Sequence, residues 1–403
     1  MEAERLGDAA RRLETGFPDP WIRQYSLKAN DLPDVVALLA GWGLGANVVS
    51  SGEWCQAAEA GVPHHAITFE GIGKTDAELA WAVQQAVAGR PFRWLALESS
   101  AEAHALARIA GQAGLGANGL APLEVLLRVN PQVRPETLPG LAVGAGSSKF
   151  GMEAAEIVSL VREGLDGGPL RVRGIHVHVG SDLGDVAAWA DAGVRAVALL
   201  GDIAPYVERA DTVDFGGGFP LDRPGGPTPR DFHDALLERL QAAGLELPAR
   251  RAVEPGRYLV GAAGWLVGRV LHSRPRAPYA QQVVLDAGMT ELIRPALYGS
   301  RHPVVALGER HVGSEPRETA VEGPVCESTD SFGLHQLPEL GRGDLVAVAE
   351  AGAYAASFTS RYNGRPHPTE VILGAGGSLQ RCERADVQPY GSRPSRAAQL
   401  DRT

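Results

Sequence analysis

The sequence predicts an α/β protein in which a closed (β/α)8 TIM barrel is followed by a mostly antiparallel β domain. Two observations support this prediction. Between about residue 20 and residue 255, short β-like runs alternate with helix-length segments, and this alternation is typical of a parallel sheet. After Arg257 the β-like runs continue without long helices between them. A chain of 403 residues is long enough for a barrel and a second domain.

The first region contains eight β-like runs and seven helical patterns. The predicted strands are Ile22–Leu27, Ala46–Val49, Ala66–Phe69, Trp94–Leu97, Val125–Val129, Gly174–Val179, Thr212–Phe215 and Arg251–Glu254. The predicted helices are Pro33–Gly41, Glu53–Ala60, Asp76–Ala88, Ala101–Gly111, Glu153–Glu163, Val186–Ile203 and Asp231–Ala243. Eight strands favour a closed barrel, with an open doubly wound sheet as the alternative.

The second region contains five β-like runs separated by Gly and Pro turns. The predicted strands are Val283–Ala287, Val304–Leu307, Ala320–Val325, Asp344–Ala349 and Glu370–Leu373. We therefore predict a barrel at residues 1–256, a β domain at 257–378, and a polar, Arg-rich and flexible tail at 379–403.

Composition and charge exclude several classes of protein. The chain is 44% hydrophobic and 21% charged, which is typical of a soluble globular protein. Its net charge of −10 and the lack of a long basic run argue against nucleic-acid and membrane partners. No apolar stretch reaches the length of a membrane span, and the first residues do not resemble a signal peptide. Three widely spaced cysteines predict a reducing cytoplasm, no disulfide framework and no metal site.

Lys28 stands at the end of the first predicted strand, within Tyr25–Asn30. The reactive groups of a TIM barrel lie at the C-terminal ends of its strands. A partly desolvated lysine amine there can lose its proton and attack a carbonyl, as a Schiff-base lysine must. Most lysines at strand ends are only solvated, so Lys28 alone supports either interpretation.

Three further strand ends carry unusual residues. His178 follows the sixth strand, Gly216–Gly218 follow the seventh, and Glu254 with Arg257 follow the eighth. Each has an ordinary explanation as a core histidine, a tight turn or a surface ion pair. Together they favour another explanation, because glycine N–H groups can cradle a phosphate, an arginine can bind it, and a carboxylate can pair with a pyridinium nitrogen. With Lys28, these are the groups that pyridoxal phosphate needs.

Several further segments extend this pattern along nearly the whole chain. They are Ser148–Gly151, His178–Ser181, Asp286–Met289, Arg294–Tyr298, Cys326–Asp330, Gly352–Tyr354 and Tyr362–Asn363. In order and spacing they resemble the fold-type III pyridoxal-phosphate decarboxylases, whose barrel is of the alanine-racemase type. Within that family the resemblance is strongest to the diaminopimelate decarboxylases. It implies an α-amino-acid decarboxylase that converts meso-diaminopimelate to L-lysine.

The resemblance implies a role for each residue around the cofactor. Lys28 would hold pyridoxal phosphate covalently, His178 would stack on its ring, and Glu254 would pair with the ring nitrogen. The residues expected around the phosphate are Ser181, Gly216, Gly217, Gly218, Gly256, Arg257 and Tyr362.

The resemblance also implies how the substrate is bound. Cys326 would protonate the carbanion after carbon dioxide leaves, reaching the active site from the partner subunit of a homodimer. The residues expected to contact the substrate are Arg257, Arg294, Tyr298, Glu327 and Tyr362. Arg294 suits a distal carboxylate and Glu327 a distal ammonium, and meso-diaminopimelate carries both.

Three alternatives remain open at this stage. The chain is also compatible with a related decarboxylase that acts on another amino acid, including a carrier-bound one. A racemase of the same architecture is disfavoured, because such enzymes lack the Cys326–Ser328 segment. A non-catalytic homologue is disfavoured because Lys28, Cys326 and the β domain are all present.

Two features depart from the family pattern. Family members usually begin with a segment that adds a strand to the β domain, whereas only about twenty helix-like residues precede the first strand here. Leu138 stands where diaminopimelate decarboxylases commonly have histidine. These departures concern the substrate more than the cofactor.

Overall fold

The computed structural model describes residues 1–117, 119–137, 144 and 148–383, so Leu138 lies outside the described residues. The described chain divides into two compact units. The barrel unit comprises Gly7–Gly256, and the β unit comprises Met1–Leu6 together with Arg257–Glu383.

The barrel unit contains a closed sheet of eight parallel strands in chain order, within the residues described. The strands are β1 Ile22–Ser26, β2 Gly45–Val48, β3 Ile67–Phe69, β4 Trp94–Leu97, β5 Leu123–Val129, β6 Leu170–Val177, β7 Thr212–Asp214 and β8 Arg250–Val253. Pairing of β1 with β8 places Ile22 opposite Ala252 and closes the barrel. The predicted barrel is confirmed, and the open-sheet alternative is wrong.

All seven predicted helices of the barrel unit are present, and α1 precedes them. The helices are α1 Ala3–Gly16, α2 Pro33–Gly41, α3 Ser51–Glu59, α4 Asp76–Val87, α5 Ser100–Gln112, α6 Ala154–Arg162, α7 Ala187–Ile203 and α8 Pro229–Ala242. Side-chain caps fix several starts. Thr75 and Thr228 each form a reciprocal capping box with an acidic residue three positions later, which satisfies backbone N–H groups that have no helical partner.

The barrel interior changes from apolar to polar along its strands. Trp94, Leu126 and Ala252 form a buried apolar cluster against Ile22 at the start of β1. Several buried charged or amide side chains occupy later positions on the strands or lie in the loops that follow them, among them Gln24, Asn47, Glu70, His176, Asp214 and Glu254. The polar groups therefore lie toward the strand ends that carry the predicted functional residues.

The β unit is built on a six-stranded sheet with the order β11-β14-β9-β10-β12-β13. Its strands are β9 Leu266–Arg276, β10 Tyr279–Leu285, β11 Val304–Leu307, β12 Arg317–Glu322, β13 Ser331–Leu337 and β14 Leu345–Val348. Only the β10–β12 pair is parallel among the described pairings of this sheet. Val270, Val283, Val321 and Val346 are among its fully buried core residues. Two short helices, α9 Arg257–Val260 and α10 Arg294–Tyr298, belong to the same unit.

A small second sheet corrects two expectations. Strands β15 Glu370–Leu373 and β16 Leu379–Cys382 pair antiparallel. The flexible tail predicted at 379–403 is therefore wrong at its start, because residues 379–382 form a strand. Its first four residues are held by strand hydrogen bonds, and residues 384–403 lie outside the described part. Met1 also bonds to β15 through its N-terminus to the Val371 carbonyl at 2.7 Å. The first residues of the chain therefore pair with a strand of the β unit, whereas the sequence analysis had assigned them to the barrel.

Strands β9 and β13 were not predicted. Both contain Gly and several exposed positions, so no continuous apolar run marks them. In the part of the chain that the structure describes, no helix has both the length and the apolar character to cross a membrane.

Candidate active site

Lys28 lies in a single 3-10 turn, Leu27–Ala29, directly after β1. The side chains before and after it are buried, whereas Lys28 is partly exposed. The Ser26 hydroxyl donates to the Glu254 carbonyl at 3.1 Å, and the Ser26 N–H donates to the Pro255 carbonyl at 3.2 Å. These bonds attach the lysine turn to the loop after β8.

Gly256 allows this close approach of the two loops. A Cβ atom at Gly256 would lie 3.0 Å from the Cβ of Ala29 and 3.3 Å from that of Ser26. Such contacts would push the lysine turn away from the β8 loop. The structure thus gives Gly256 a packing function beside Lys28, and its predicted contact with the phosphate stays a prediction.

His178 follows β6, and its ring orientation is fixed by the glycine loop. The Gly217 N–H donates to His178 Nδ1 at 3.1 Å, so Nδ1 carries the lone pair and the proton of the neutral ring lies on Nε2. Burial and the nearby Lys28 ammonium lower the pKa of His178 well below its usual range. A neutral imidazole with a fixed ring plane suits stacking on an aromatic cofactor.

Gly216, Gly217 and Gly218 form a loop into which no side chain fits. Gly216 and Gly218 have φ values of +68° and +108°, which favour glycine. A Cβ at Gly216 would lie 2.5 Å from the Val177 carbonyl oxygen, and one at Gly217 would collide with the Glu254 carbonyl. The Gly216 and Gly217 N–H groups bond to Asp214 and His178. The loop therefore holds other site residues in place and presents bare backbone to a ligand.

Glu254 is buried in a polar cluster that crosses the barrel. Its Oε1 accepts a hydrogen bond from the Asn47 amide at 2.5 Å. His176 Nε2 lies 3.6 Å from the Glu254 carboxylate and 3.4 Å from that of Glu70. The Gln24 amide donates to Asp214 at 3.4 Å. Three carboxyl groups are thus buried together with only one imidazole among them.

The charges of this cluster follow from its burial. Burial and the adjacent Glu254 carboxyl raise the pKa of Glu70 to about 8, and they raise the pKa of Asp214 well above its usual range. Burial lowers the pKa of His176 to about 4. At neutral pH, Glu70 and Asp214 hold protons and His176 is neutral. Burial therefore favours the neutral forms of Glu70, Asp214 and His176 around Glu254.

The Ser148–Gly151 segment is attached to β4 and β5. The Glu98 carboxylate pairs with Arg128 and accepts the Gly151 N–H at 3.0 Å. The Arg128 guanidinium lies 4.9 Å from the centre of the Phe150 ring. The segment is therefore positioned by a buried ion pair.

Ser181, predicted near the phosphate, accepts a hydrogen bond on its backbone carbonyl from the Thr137 hydroxyl at 2.6 Å.

In the β unit, Arg257 and Arg294 are buried, with 3% and 5% of their surface exposed. Arg257 begins α9 and lies 5.0 Å from the centre of the Tyr354 ring. Arg294 begins α10, and its guanidinium lies 3.5 Å from His302 Nε2. Tyr298, at the end of α10, is partly exposed. Neither arginine is the surface charge that the sequence allowed as an alternative, since a buried guanidinium requires polar partners.

The remaining predicted residues are exposed and touch one another in pairs. The Tyr362 hydroxyl donates to Glu327 Oε1 at 2.7 Å, and the Asn363 amide lies 3.2 Å from Cys326 Sγ. This bond to Glu327 raises the pKa of Tyr362. Asp330 fixes the segment by accepting the N–H groups of Met289 and Val325. Cys326 and Glu327 therefore stand together on a rigidly supported loop.

The predicted residues form two groups, one in each unit. The barrel group contains Lys28, His178, Ser181, Gly216–Gly218, Glu254 and Gly256. The β-unit group contains Arg257, Arg294, Tyr298, Cys326, Glu327 and Tyr362. The sequence analysis missed Asn47 and Glu70, and it named Asp330 and Asn363 only as members of matching segments, without a role. Glu70 could have been found from its position, because it is an acidic residue directly after the apolar run of β3.

Comparison with known proteins defines the class. Residues 4–261 match the pyridoxal binding domain of the pyridoxal-dependent decarboxylases. The chain belongs to this family, and its cofactor is pyridoxal phosphate.

Individual relatives are more specific. The chain is 33% identical to the diaminopimelate decarboxylase of Aquifex aeolicus, with 94% of this chain and 86% of the relative covered. It is 34% identical to that of Archaeoglobus fulgidus, with 87% and 81% covered. The solved Helicobacter pylori diaminopimelate decarboxylase complexed with L-lysine superposes with a TM-score of 0.84 at 28% identity, covering 96% and 93%. The Methanocaldococcus jannaschii enzyme complexed with L-lysine gives 0.83 at 27% identity, covering 98% and 91%.

Proposed function

We propose that this protein is a diaminopimelate decarboxylase that converts meso-diaminopimelate to L-lysine. The observation that carries the proposal is the pairing of Glu327 with Cys326 on one exposed loop, in a unit that also contains Arg294. Glu327 can accept an ammonium and Arg294 can bind a carboxylate. Relatives of this name cover most of the chain, which supports the same substrate.

The barrel residues fit the cofactor. Pyridoxal phosphate, when bound, supplies a protonated ring that accepts the electrons released as carbon dioxide departs. Lys28 provides the amine that attaches it, and Glu254 provides a buried carboxylate for the ring nitrogen. The loop Gly216–Gly218, where a Cβ would collide with neighbouring atoms, leaves backbone free of side chains for the phosphate. Neutral His178 provides a ring face.

We assign the remaining predicted roles on the same basis. Ser181, Gly256, Arg257 and Tyr362 would contribute to the phosphate site, and Arg257, Tyr298 and Tyr362 would also contact substrate. Cys326 would hold the proton that is delivered to the α-carbon, on the thiol Sγ.

We further propose a homodimer in which Cys326 serves the active site of the partner subunit. The exposure of Cys326, Glu327 and Tyr362 in the single chain supports this proposal. A cytoplasmic location is proposed from the three cysteines, all of which are free in the described chain. Light scattering of the purified protein tests the dimer.

A substrate panel tests the function. The purified protein is supplied with pyridoxal phosphate and with meso-diaminopimelate, lysine, ornithine, arginine or glutamate, and carbon dioxide is measured. We expect gas only from meso-diaminopimelate, with lysine as the amine product. Arg294→Met should raise KM about 100-fold by removing the charged partner of the distal carboxylate. Carbon dioxide from another amino acid and none from diaminopimelate would show a related decarboxylase.

A further inference from the structure

The loop after β3 places one carboxyl group inside the barrel for which the reaction described above has no use. Glu70 is 3% exposed, and one atom each from Glu70, His176 and Glu254 lie within 4.8 Å of one another. Among the described residues, no hydrogen-bond partner reaches Glu70 Oε1, nor either ring nitrogen of His176. A buried carboxylate oxygen without a donor is costly, so the charge state of Glu70 requires an explanation.

The arrangement is consistent when Glu70 is a neutral acid. Its neighbour is the Glu254 carboxyl, which already accepts the Asn47 amide on Oε1. Two adjacent buried carboxylates repel each other strongly. A proton on Glu70 removes that repulsion and turns Glu70 into a donor toward Glu254. The alternative, a proton on Glu254, would place a neutral acid where the ring nitrogen needs an anion.

We propose that Glu70 is a positioning residue for Glu254: as a neutral acid it donates a hydrogen bond to the Glu254 carboxylate and keeps that group anionic and oriented. The proposal rests on the proposed pairing of Glu254 with the cofactor's ring nitrogen. No contact of Glu70 with cofactor or substrate is proposed. Glu70 acts on the chemistry only through Glu254.

The groups that face Glu70 from the surrounding strands support a neutral state. Burial is the main cause of its raised pKa, followed by Glu254, while His176 and Asn47 act in the opposite direction. Burial lowers the pKa of His176 and keeps its ring neutral. Arg128 and Lys28 also lower this pKa, whereas Glu70 and Glu98 raise it. The titratable or charged groups of the surroundings are Lys28, Glu98, Arg128, His176, Asp214 and Glu254. Arg128 is already paired with Glu98, and among the residues that the structure describes, no lysine or arginine forms an ion pair with Glu70.

The proton on Glu70 makes folding depend on pH in a defined direction. The pKa of Glu70 is about 8 in the folded chain and 4.5 as its ordinary value. Its stabilising contribution is complete below pH 4.5 and is lost as pH rises through about 8, because the unfolded chain then binds fewer protons than the folded one. Relative to a variant without this carboxyl, the folding constant of the wild type should fall by up to about tenfold per pH unit in that window.

Two substitutions separate the proton from the hydrogen bond. Glu70→Gln keeps a donor of the same length and loses the titrating group, whereas Glu70→Met loses both. Thermal and urea unfolding of the cofactor-free protein are measured between pH 5 and 9. We expect both variants to lose the extra pH dependence of the wild type. A Glu70→Gln profile parallel to that of the wild type would overturn the proposal, even if Glu70→Met fails to fold.

Cofactor affinity of the same proteins then tests the link to Glu254. Titration with pyridoxal phosphate should give Glu70→Gln within about threefold of the wild type and Glu70→Met weaker by about tenfold or more, the value of one hydrogen bond to a charged group. In a Glu254→Gln background, Glu70→Met should have almost no further effect. Equal affinities of the Gln and Met variants, or additive losses in the double variant, would overturn the proposal.

Failure of the proposed function would look different. If the wild type bound no pyridoxal phosphate through Lys28, as judged against Lys28→Ala, the role of Glu254 would be wrong, and the hydrogen-bonding role of Glu70 toward it would fall with it. The pH dependence of the cofactor-free protein would still report whether Glu70 carries the buried proton.

Discussion

The barrel unit and the β unit differ in the burial of their predicted functional residues. In the barrel unit, Glu254 is buried beside the His176 imidazole and accepts a hydrogen bond from Asn47. In the β unit, Cys326 and Glu327 are exposed on a loop supported by Asp330, and the exposed Tyr362 bonds to Glu327 from another segment. The barrel residues thus have their polar neighbours within one unit, whereas the exposed residues of the β unit are the ones proposed to act in a partner subunit.

The largest expected effect is that of removing the barrel amine. Lys28→Ala should lower kcat by a factor on the order of 1,000 or more, because the covalent route through the cofactor is lost. Decarboxylation assays and the visible absorbance of the bound cofactor check this. Lys149→Ala, which changes an exposed lysine, is the control. Retention of the absorbance and activity by Lys28→Ala would break the assignment of the barrel unit.

The next effect concerns the exposed loop. Cys326→Ala should lower kcat about 100-fold or more by removing the proton donor, without changing cofactor absorbance or the thermal midpoint. Cys55→Ala, at the other exposed cysteine, should leave kcat unchanged. Equal effects of the two substitutions would show that Cys326 has no special function.

A smaller effect is expected from filling the glycine loop. Gly217→Ala places a methyl group against the Glu254 carbonyl and the His178 ring, and should lower the free energy of unfolding by about 1–3 kcal/mol and weaken cofactor binding. Gly201→Ala in α7 meets no atom within 4 Å and should raise stability by about 0.5–1 kcal/mol. Urea unfolding and cofactor titration measure both. An unaffected Gly217→Ala would mean that the loop is less tightly packed than the structure shows.

The smallest effect is that of Tyr362→Phe. Loss of the hydroxyl frees Glu327 from its 2.7 Å bond, so KM should change about two- to fivefold while the fold is unaffected. Steady-state kinetics measure the change. A loss of kcat as large as that of Cys326→Ala would move Tyr362 into the proton-transfer step.

The sequence predicted more of the barrel than of the β unit. Parallel strands buried on both faces are short apolar runs, so all eight barrel strands were found and both ends of β4 were predicted to the residue. Strands β9 and β13 both contain Gly and several exposed positions, and β9 also contains Arg, so neither is a continuous apolar run. Motif order identified Lys28, Glu254 and Cys326, because these residues occur in distinctive segments.

The supporting residues could not be predicted in the same way. Glu70 and Asn47 are polar residues in or beside ordinary strands, and only the closure of the barrel brings them to Glu254. Asn363 was recognised as part of a segment, but its contact with Cys326 depends on a loop whose conformation the sequence does not specify. Their function follows from distances between segments that lie far apart in the chain.

The central claim is that Lys28 of one chain and Cys326 of another serve the same active site. Equal amounts of Lys28→Ala and Cys326→Ala protein are mixed under conditions that exchange subunits, and carbon dioxide from meso-diaminopimelate is measured. Half of the resulting dimers should be mixed and each should have one intact site, so activity should recover to about one quarter of the wild type. No recovery, with subunit exchange demonstrated by differently tagged chains, would contradict the account.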